Sequence, residues 1–249
     1  MDIYKCTKEV IEEYQAENPF MTALSDHIKR YIPKADTFRR ALDVGCGIGK
    51  NSDFLAAKGY RVEALDIDER ILEIGRQRYT NPNITFRRCN LVEGDLGENI
   101  FDLIICSEVL EHIGEYRTVI DKLYRALKPN GRIILTVPSA DIKCSQMFRK
   151  GGHLRHFDLK SLLLDLSDFK ILKYYFVGFP VQFIIVRTYE TYLRLFRRSY
   201  IPGNFYKGKE ISKLMRRVLF CGLRAAFKAE RLFCHWLQMR TNIVFLGSK

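Results

Sequence analysis

Ala41-Leu42-Asp43-Val44-Gly45-Cys46-Gly47-Ile48-Gly49-Lys50 is the stretch that decides the fold. An apolar strand runs into three glycines spaced GxGxG, and a helical pattern follows. Glycine is required where backbone turns tightly and a ligand lies against it with no Cβ in the way. A dinucleotide fingerprint reads GxGxxG and seats a pyrophosphate on the helix N-terminus. Here the spacing is shorter, and the acid Asp43 stands just before the loop. A carboxylate at that point repels a pyrophosphate and suits an ammonium or a sulfonium. The next strand ends in Ala64-Leu65-Asp66-Ile67-Asp68, about 20 residues beyond the loop. An acid there accepts the two hydroxyls of a ribose.

Outward from this loop, short β-type runs alternate with helical ones. Strands are expected at Arg40–Val44, Arg61–Asp66, Ile84–Arg88, Phe101–Cys106 and Arg132–Val137. Helices are expected at Ser52–Lys58, Asp68–Tyr79 and Glu115–Lys128, the last stopping before Pro129-Asn130-Gly131. The runs ALDV, FDLIIC and RIILTV are apolar on both faces, which suits strands buried between two helical layers. Alternation of this kind points to a parallel, doubly wound sheet. Residues 1–38 read as a leading helical segment, with helical patterns at Lys8–Ala16 and Thr22–Ile32.

The order LDVGCGIG, LDID, Arg88-Cys89-Asn90-Leu91, FDLIICSEVLEHI and LKPNGRIILTVPS resembles the class I S-adenosylmethionine-dependent methyltransferases over residues 38–178. The resemblance implies an α/β fold. Its core is a Rossmann-like seven-stranded sheet, mostly parallel with the last strand antiparallel. It also implies S-adenosylmethionine as methyl donor. Gly45, Cys46 and Gly47 would wrap its methionine part, Asp66 with Ile67 its ribose, and Asn90 with Leu91 its adenine. Asp43 and Ser107 complete the expected cofactor-binding set. The adenine position usually carries an aspartate that accepts from the exocyclic amine. Asn90 departs from that pattern, and its amide oxygen is expected to accept the same hydrogen bond without charge.

The acceptor side is expected at Ser107-Glu108-Val109-Leu110-Glu111-His112, after the fourth strand. If this stretch is helical, Glu108, Glu111 and His112 share one face. His112 is the first candidate for a general base. His153 and His156, in Gly151-Gly152-His153-Leu154-Arg155-His156-Phe157, come next. Two carboxylates and an imidazole also suit a divalent metal. Some relatives that methylate vicinal hydroxyls use such an ExxEH group with a distant histidine, here His153. The metal stays open and no metal site is assigned. Methyl transfer from a sulfonium is an in-line displacement from an activated leaving group, so no nucleophilic triad is needed.

Lys170–Val177 and Asn242–Gly247 read as the last two strands, an antiparallel pair separated by the 64 residues 178–241. That gap is too long for a plain loop and is expected to be a helical insertion. The domains are therefore 1–38, a methyltransferase core at 39–177, a basic amphipathic insertion at 178–241, and a closing strand at 242–249. Around Phe183–Arg198, Ile185, Tyr189, Leu193 and Phe196 fall opposite Arg187, Arg194 and Arg198. Around Lys209–Gln238, Lys213, Arg217, Arg224, Lys228 and Arg231 form one stripe, with Val218, Leu219, Phe233 and Trp236 opposite.

The 249 residues carry 41 Lys+Arg against 29 Asp+Glu, and the excess lies late in the chain. Residues 1–150 hold 23 of each sign, whereas residues 178–249 hold 14 against 3. A large apolar face beside a Lys/Arg face is what an interfacial helix needs, so residues 183–238 are expected to meet an anionic membrane surface. Phosphate-backbone binding needs the same charges, but no RNA-binding module is visible. The seven cysteines are scattered and form no CxxC pair, which argues against a disulfide framework or a thiolate zinc site. No run reaches the roughly 20 apolar residues of a spanning helix. The start lacks the apolar run of a secretory signal, so a cytoplasmic protein with peripheral membrane association is expected. The expected activity is methylation of a small-molecule or lipid-linked hydroxyl. A methyltransferase for RNA or protein and a non-catalytic cofactor-binding partner are the alternatives.

Overall fold

A computed structural model of the chain describes residues 19–35, 39–142, 148–149, 151–178 and 240–249. The helices expected at Lys8–Ala16, Phe183–Arg198 and Lys209–Gln238 lie outside the described residues. In chain order the elements are α1 (Pro19–Lys29), β1 (Arg40–Val44), α2 (Lys50–Ala57), β2 (Arg61–Asp66), α3 (Glu69–Arg78) and β3 (Ile84–Arg88). Then come β4 (Phe101–Ser107), a 3₁₀ turn (Leu110–His112), α4 (Tyr116–Ala126), β5 (Leu127–Pro138), α5 (Leu159–Asp165), β6 (Lys170–Val177) and β7 (Asn242–Ser248).

The seven strands form one sheet in the order β3-β2-β1-β4-β5-β7-β6. The first five are parallel, and β7 slots antiparallel between β5 and β6. β1 and β4 are the central pair, and the order reverses between them. Their C-terminal ends are therefore where an open α/β sheet binds ligands. Leu42, Val44, Ile104, Cys106 and Leu135 pack with α4 and α5 on one face. Ala41, Val62, Leu103 and Ile105 pack with Ile28 of α1 and Leu55 of α2 on the other. Alternate residues of the same apolar runs thus serve both layers, as their lack of polar alternation implied.

Two local expectations change. The helix expected to reach Lys128 ends at Ala126, and Leu127 already pairs with Phe101 as the first residue of β5. Pro129 disfavours helical backbone at the residue before it and offers no N–H, so the chain turns extended one residue earlier. The stretch Glu108–His112 is not an α-helix. Glu108 has φ 54°, in the left-handed region, and only Leu110–His112 coil as a 3₁₀ turn. Glu108 and Glu111 consequently share no helix face.

Candidate active site

β1 delivers Asp43 and Val44 to the glycine loop. The loop folds back over β2, where the Cys46 N–H donates to the Leu65 carbonyl at 2.8 Å. Gly45 has φ 63°, and a Cβ there would collide with the side chain of Val109. The loop and the turn after β4 are therefore packed backbone to side chain, which only glycine permits. Gly49 closes the loop with φ 89°, and a Cβ on it would sit 2.6 Å from the Phe86 ring.

Asp66 ends β2. One carboxylate oxygen accepts from the Gly47 N–H at 3.0 Å and the other from the Asp68 N–H at 3.0 Å. Burial raises its pKa above the ordinary aspartate value, and these backbone donors pull the other way. Ile67 beside it is 49% exposed, so an apolar surface lies open next to the carboxylate. Asp43 is buried and accepts from the Ser52 hydroxyl at 2.6 Å. Burial pushes its carboxyl up to about 7 against that hydrogen bond. Cys46 is buried.

Beyond β3, the Asn90 side-chain oxygen accepts from the Val92 N–H at 3.1 Å. One lone pair of the expected acceptor is therefore engaged in its own loop, and the second is left for a further donor. Leu91 is buried. The loop is clamped from α4 by Lys122, whose ammonium donates to the carbonyls of Leu91 (3.3 Å), Gly94 (2.9 Å) and Val92. Nothing in the sequence distinguishes Lys122 from a solvated lysine on a helix.

At the end of β4, the Ser107 and Thr136 hydroxyls lie 2.9 Å apart, and Thr136 donates to Glu108 at 3.0 Å. Asn242 of β7 donates to the other Glu108 oxygen at 2.9 Å. Glu108 is thus held by the sheet, whereas the Glu111 carboxylate is fully buried with no hydrogen-bond partner among the described residues. Burial raises both carboxyls, and the proximity of Glu108 raises Glu111 further.

The chain from Gly151 to Phe157 docks on this turn, with Leu154 N–H donating to the Glu111 carbonyl at 2.8 Å. His112 Nε2 lies 3.9 Å from Glu111 Oε1, and the His112 and His153 rings meet edge-on with centroids 4.8 Å apart. Burial, then the neighbouring His112 and His156, lower His153 to about 3, so its imidazole is neutral. Among the described residues, Glu111, His112 and His153 bring one ligand atom each within 4.8 Å of one another. A buried carboxylate without a donor and two imidazoles fit a divalent cation. That set differs from the one expected, because Glu108 is committed to Thr136 and Asn242.

α1 lies beside the start of α2. Lys50 donates to the Thr22 hydroxyl at 2.7 Å, and the Ser25 hydroxyl to the Asn51 side-chain oxygen at 2.7 Å. The leading segment is thereby fastened to the two residues that follow the glycine loop.

A methyltransferase-domain family model matches residues 14–172. The chain belongs to the methyltransferase domain family. Within it, the chain is 33% identical over 114 residues to a ubiquinone biosynthesis O-methyltransferase of Xylella fastidiosa, covering 45% of this chain and 46% of that one. It is 32% identical over 134 residues to a demethylmenaquinone methyltransferase of Clavibacter sepedonicus, covering 51% and 54%. The chain thus spans about half the length of the curated relatives it matches. Among solved structures, it is similar to phosphoethanolamine N-methyltransferase 2 of Haemonchus contortus in complex with S-adenosyl-L-methionine. That match has TM-score 0.64 and 20% identity, over 98% of this chain and 57% of that one. It is also similar to an S-adenosylmethionine-dependent methyltransferase of Mesorhizobium loti, with TM-score 0.65 and 15% identity over 93% and 100%. At these identities the likeness is one of fold. By family the chain carries a methyltransferase domain, and it shares its fold with solved S-adenosylmethionine-dependent methyltransferases.

Proposed function

We propose that this methyltransferase moves the methyl group of S-adenosylmethionine to a hydroxyl oxygen of a small or lipid-linked acceptor, such as a quinone precursor, at a membrane surface. The observation that carries this reading is the Glu111–His112–His153 cluster. It is joined to the glycine loop through Val109, which packs on Gly45 and whose carbonyl accepts the His112 N–H at 3.0 Å. A hydroxyl is a weak nucleophile until its proton is withdrawn, so a base within reach of the methyl group is what O-methylation needs. In the proposed step the acceptor oxygen gives its proton to an imidazole, His112 or His153. The oxygen attacks the methyl carbon in line, and the sulfonium leaves as the neutral thioether. Holding the two partners about 3–3.5 Å apart and aligned accounts for most of the rate. A divalent cation held by Glu111, His112 and His153 would, when bound, acidify the same hydroxyl as a Lewis acid.

The names of the curated relatives support a quinone-type acceptor, since two of them are named for quinone biosynthesis or a demethylated quinone. The membrane surface rests on the sequence, where residues 178–249 carry 14 basic residues against 3 acidic ones. Among the described residues, no helix is long and apolar enough to cross a membrane. The test supplies methyl-labelled S-adenosylmethionine with an aromatic hydroxyl acceptor, with and without a prenyl tail, in anionic or neutral vesicles. Label on oxygen, favoured by the tail and by anionic lipid, is expected. Label confined to amines, RNA or protein would overturn the reading.

A further inference from the structure

His153 does not stand alone. Its Nδ1 lies 3.2 Å from Nε2 of His156, and Nδ1 of His156 lies 2.6 Å from the carbonyl oxygen of Ile142. A carbonyl oxygen only accepts, so Nδ1 of His156 carries the hydrogen. A neutral imidazole has one N–H, which leaves Nε2 of His156 as an acceptor. Nδ1 of His153 must then be the donor, and Nε2 of His153 keeps its lone pair. Phe148 packs against both rings, with centroids 5.3 Å from His153 and 4.8 Å from His156, and the Phe148 carbonyl accepts the His153 backbone N–H at 3.0 Å. The direction of the chain is therefore set at its far end by the backbone, where the Ile142 carbonyl, with Ser139 beside it, accepts from His156.

We infer that His156 is a positioning residue: anchored on Ile142, it fixes His153 as the Nδ1–H tautomer and presents Nε2 as a preset Lewis base to the Glu111–His112 pocket. That tautomer is the minor one for a free histidine, so the protein spends a second imidazole to hold it. The inference rests on the reading of this pocket as the acceptor side. A second imidazole does what a carboxylate or carbonyl does behind other functional histidines, without placing a further negative charge beside the buried Glu111.

The test is nitrogen NMR of the full chain labelled in its histidine rings, near pH 8, where unperturbed imidazoles are neutral. His153→Gln identifies the His153 signals by their loss. In the wild type, His153 is expected to show a protonated Nδ1 and an unprotonated Nε2. In His156→Ala the proton is expected to move to Nε2. In His156→Gln the side-chain oxygen accepts from Nδ1 and the wild-type pattern is expected to return. Methyl transfer should follow the spectra, with kcat down at least about tenfold in His156→Ala, KM for S-adenosylmethionine unchanged, and recovery in His156→Gln. A wild-type His153 protonated at Nε2 overturns the inference even if the alanine variant fails to fold. An unchanged tautomer in a folded His156→Ala does so too. The expected spectra without any methyl transfer to hydroxyls would instead count against the proposed function and leave the tautomer assignment standing.

Discussion

The carboxylate of Asp66, at the end of β2, accepts the backbone N–H of Gly47 at 3.0 Å, so the acid is tied directly to the glycine loop. Asp66 bonds Asp68 N–H with its other oxygen, and each oxygen retains a second lone pair for a ribose hydroxyl. The residue thus braces the loop, and under the proposed function it also receives the cofactor.

Those tasks separate by substitution. Asp66→Ala removes both, and the demethylated cofactor product is expected to lose at least about a hundredfold in affinity, near 3 kcal/mol for two charged hydrogen bonds. Asp66→Asn keeps an oxygen for only one of the two backbone donors and should fall between the two. Calorimetric titration measures both. Unchanged affinity in Asp66→Ala would remove Asp66 from the cofactor site.

Gly45→Ala places a Cβ at φ 63° against Val109. The left-handed backbone alone costs about 1–2 kcal/mol, and the overlap adds to it. Urea denaturation should show the larger loss in the single variant and partial recovery in Gly45→Ala with Val109→Ala. Equal losses in the two would mean that Val109 does not press on the loop.

Most of the sheet is legible in the sequence because buried parallel strands are written as apolar runs. β1, β2 and β3 fall at the expected residues, and Asn242 opens β7 where expected. β6 is legible by its β-branched and aromatic residues although Ile171, Leu172 and Tyr174 are well exposed, since β6 is an edge strand with one neighbour. Local backbone geometry is what the pattern hides. SEVLEH has helical spacing, yet Glu108 adopts φ 54° because Thr136 and Asn242, far along the chain, claim its carboxylate. The site is legible as residue types, and Asp66, His112 and His153 stand near the glycine loop or its flanking turn. Partners are not legible. Lys122 looks like any surface lysine, and the orientation of His153 depends on Ile142, eleven residues away.

Lys122 therefore gives a test that sequence alone would not suggest. Its ammonium bonds three carbonyls of the segment after β3. Lys122→Met keeps the length of the stem and removes all three bonds. A cost of about 2 kcal/mol is expected, a fall in Tm of roughly 4–8 °C for a chain of this size. Hydrogen exchange should speed up at residues 91–95, and cofactor affinity should weaken several-fold. Normal protection there would show that the segment holds itself.

Asp43 supplies the pH test. Its carboxyl is buried beside Ser52 and titrates at about 7 in the folded chain, against 3.8 as its ordinary value. The folded state therefore binds more protons than the unfolded state between those values, and stability falls as pH rises through that window. The cost of the ionised form is on the order of 4 kcal/mol above neutral pH. Asp43→Asn keeps an acceptor for the Ser52 hydroxyl and removes the titration. The variant should match the wild type below about pH 3.5, lead it by about 1 kcal/mol near pH 4.5, and exceed it in stability by a few kcal/mol near pH 8. Asp66 is raised in the same direction, so the difference between the two proteins, and not the wild-type curve alone, isolates Asp43. Cofactor binding runs the other way. A sulfonium and an ammonium favour the ionised carboxylate, so wild-type affinity for S-adenosylmethionine should rise on the order of tenfold from pH 5.5 to 7. Asp43→Asn should bind more weakly and lose most of that rise. Parallel stability curves for the two proteins would place the Asp43 charge outside the folding balance, and an affinity rise retained in Asp43→Asn would take it out of the cofactor site.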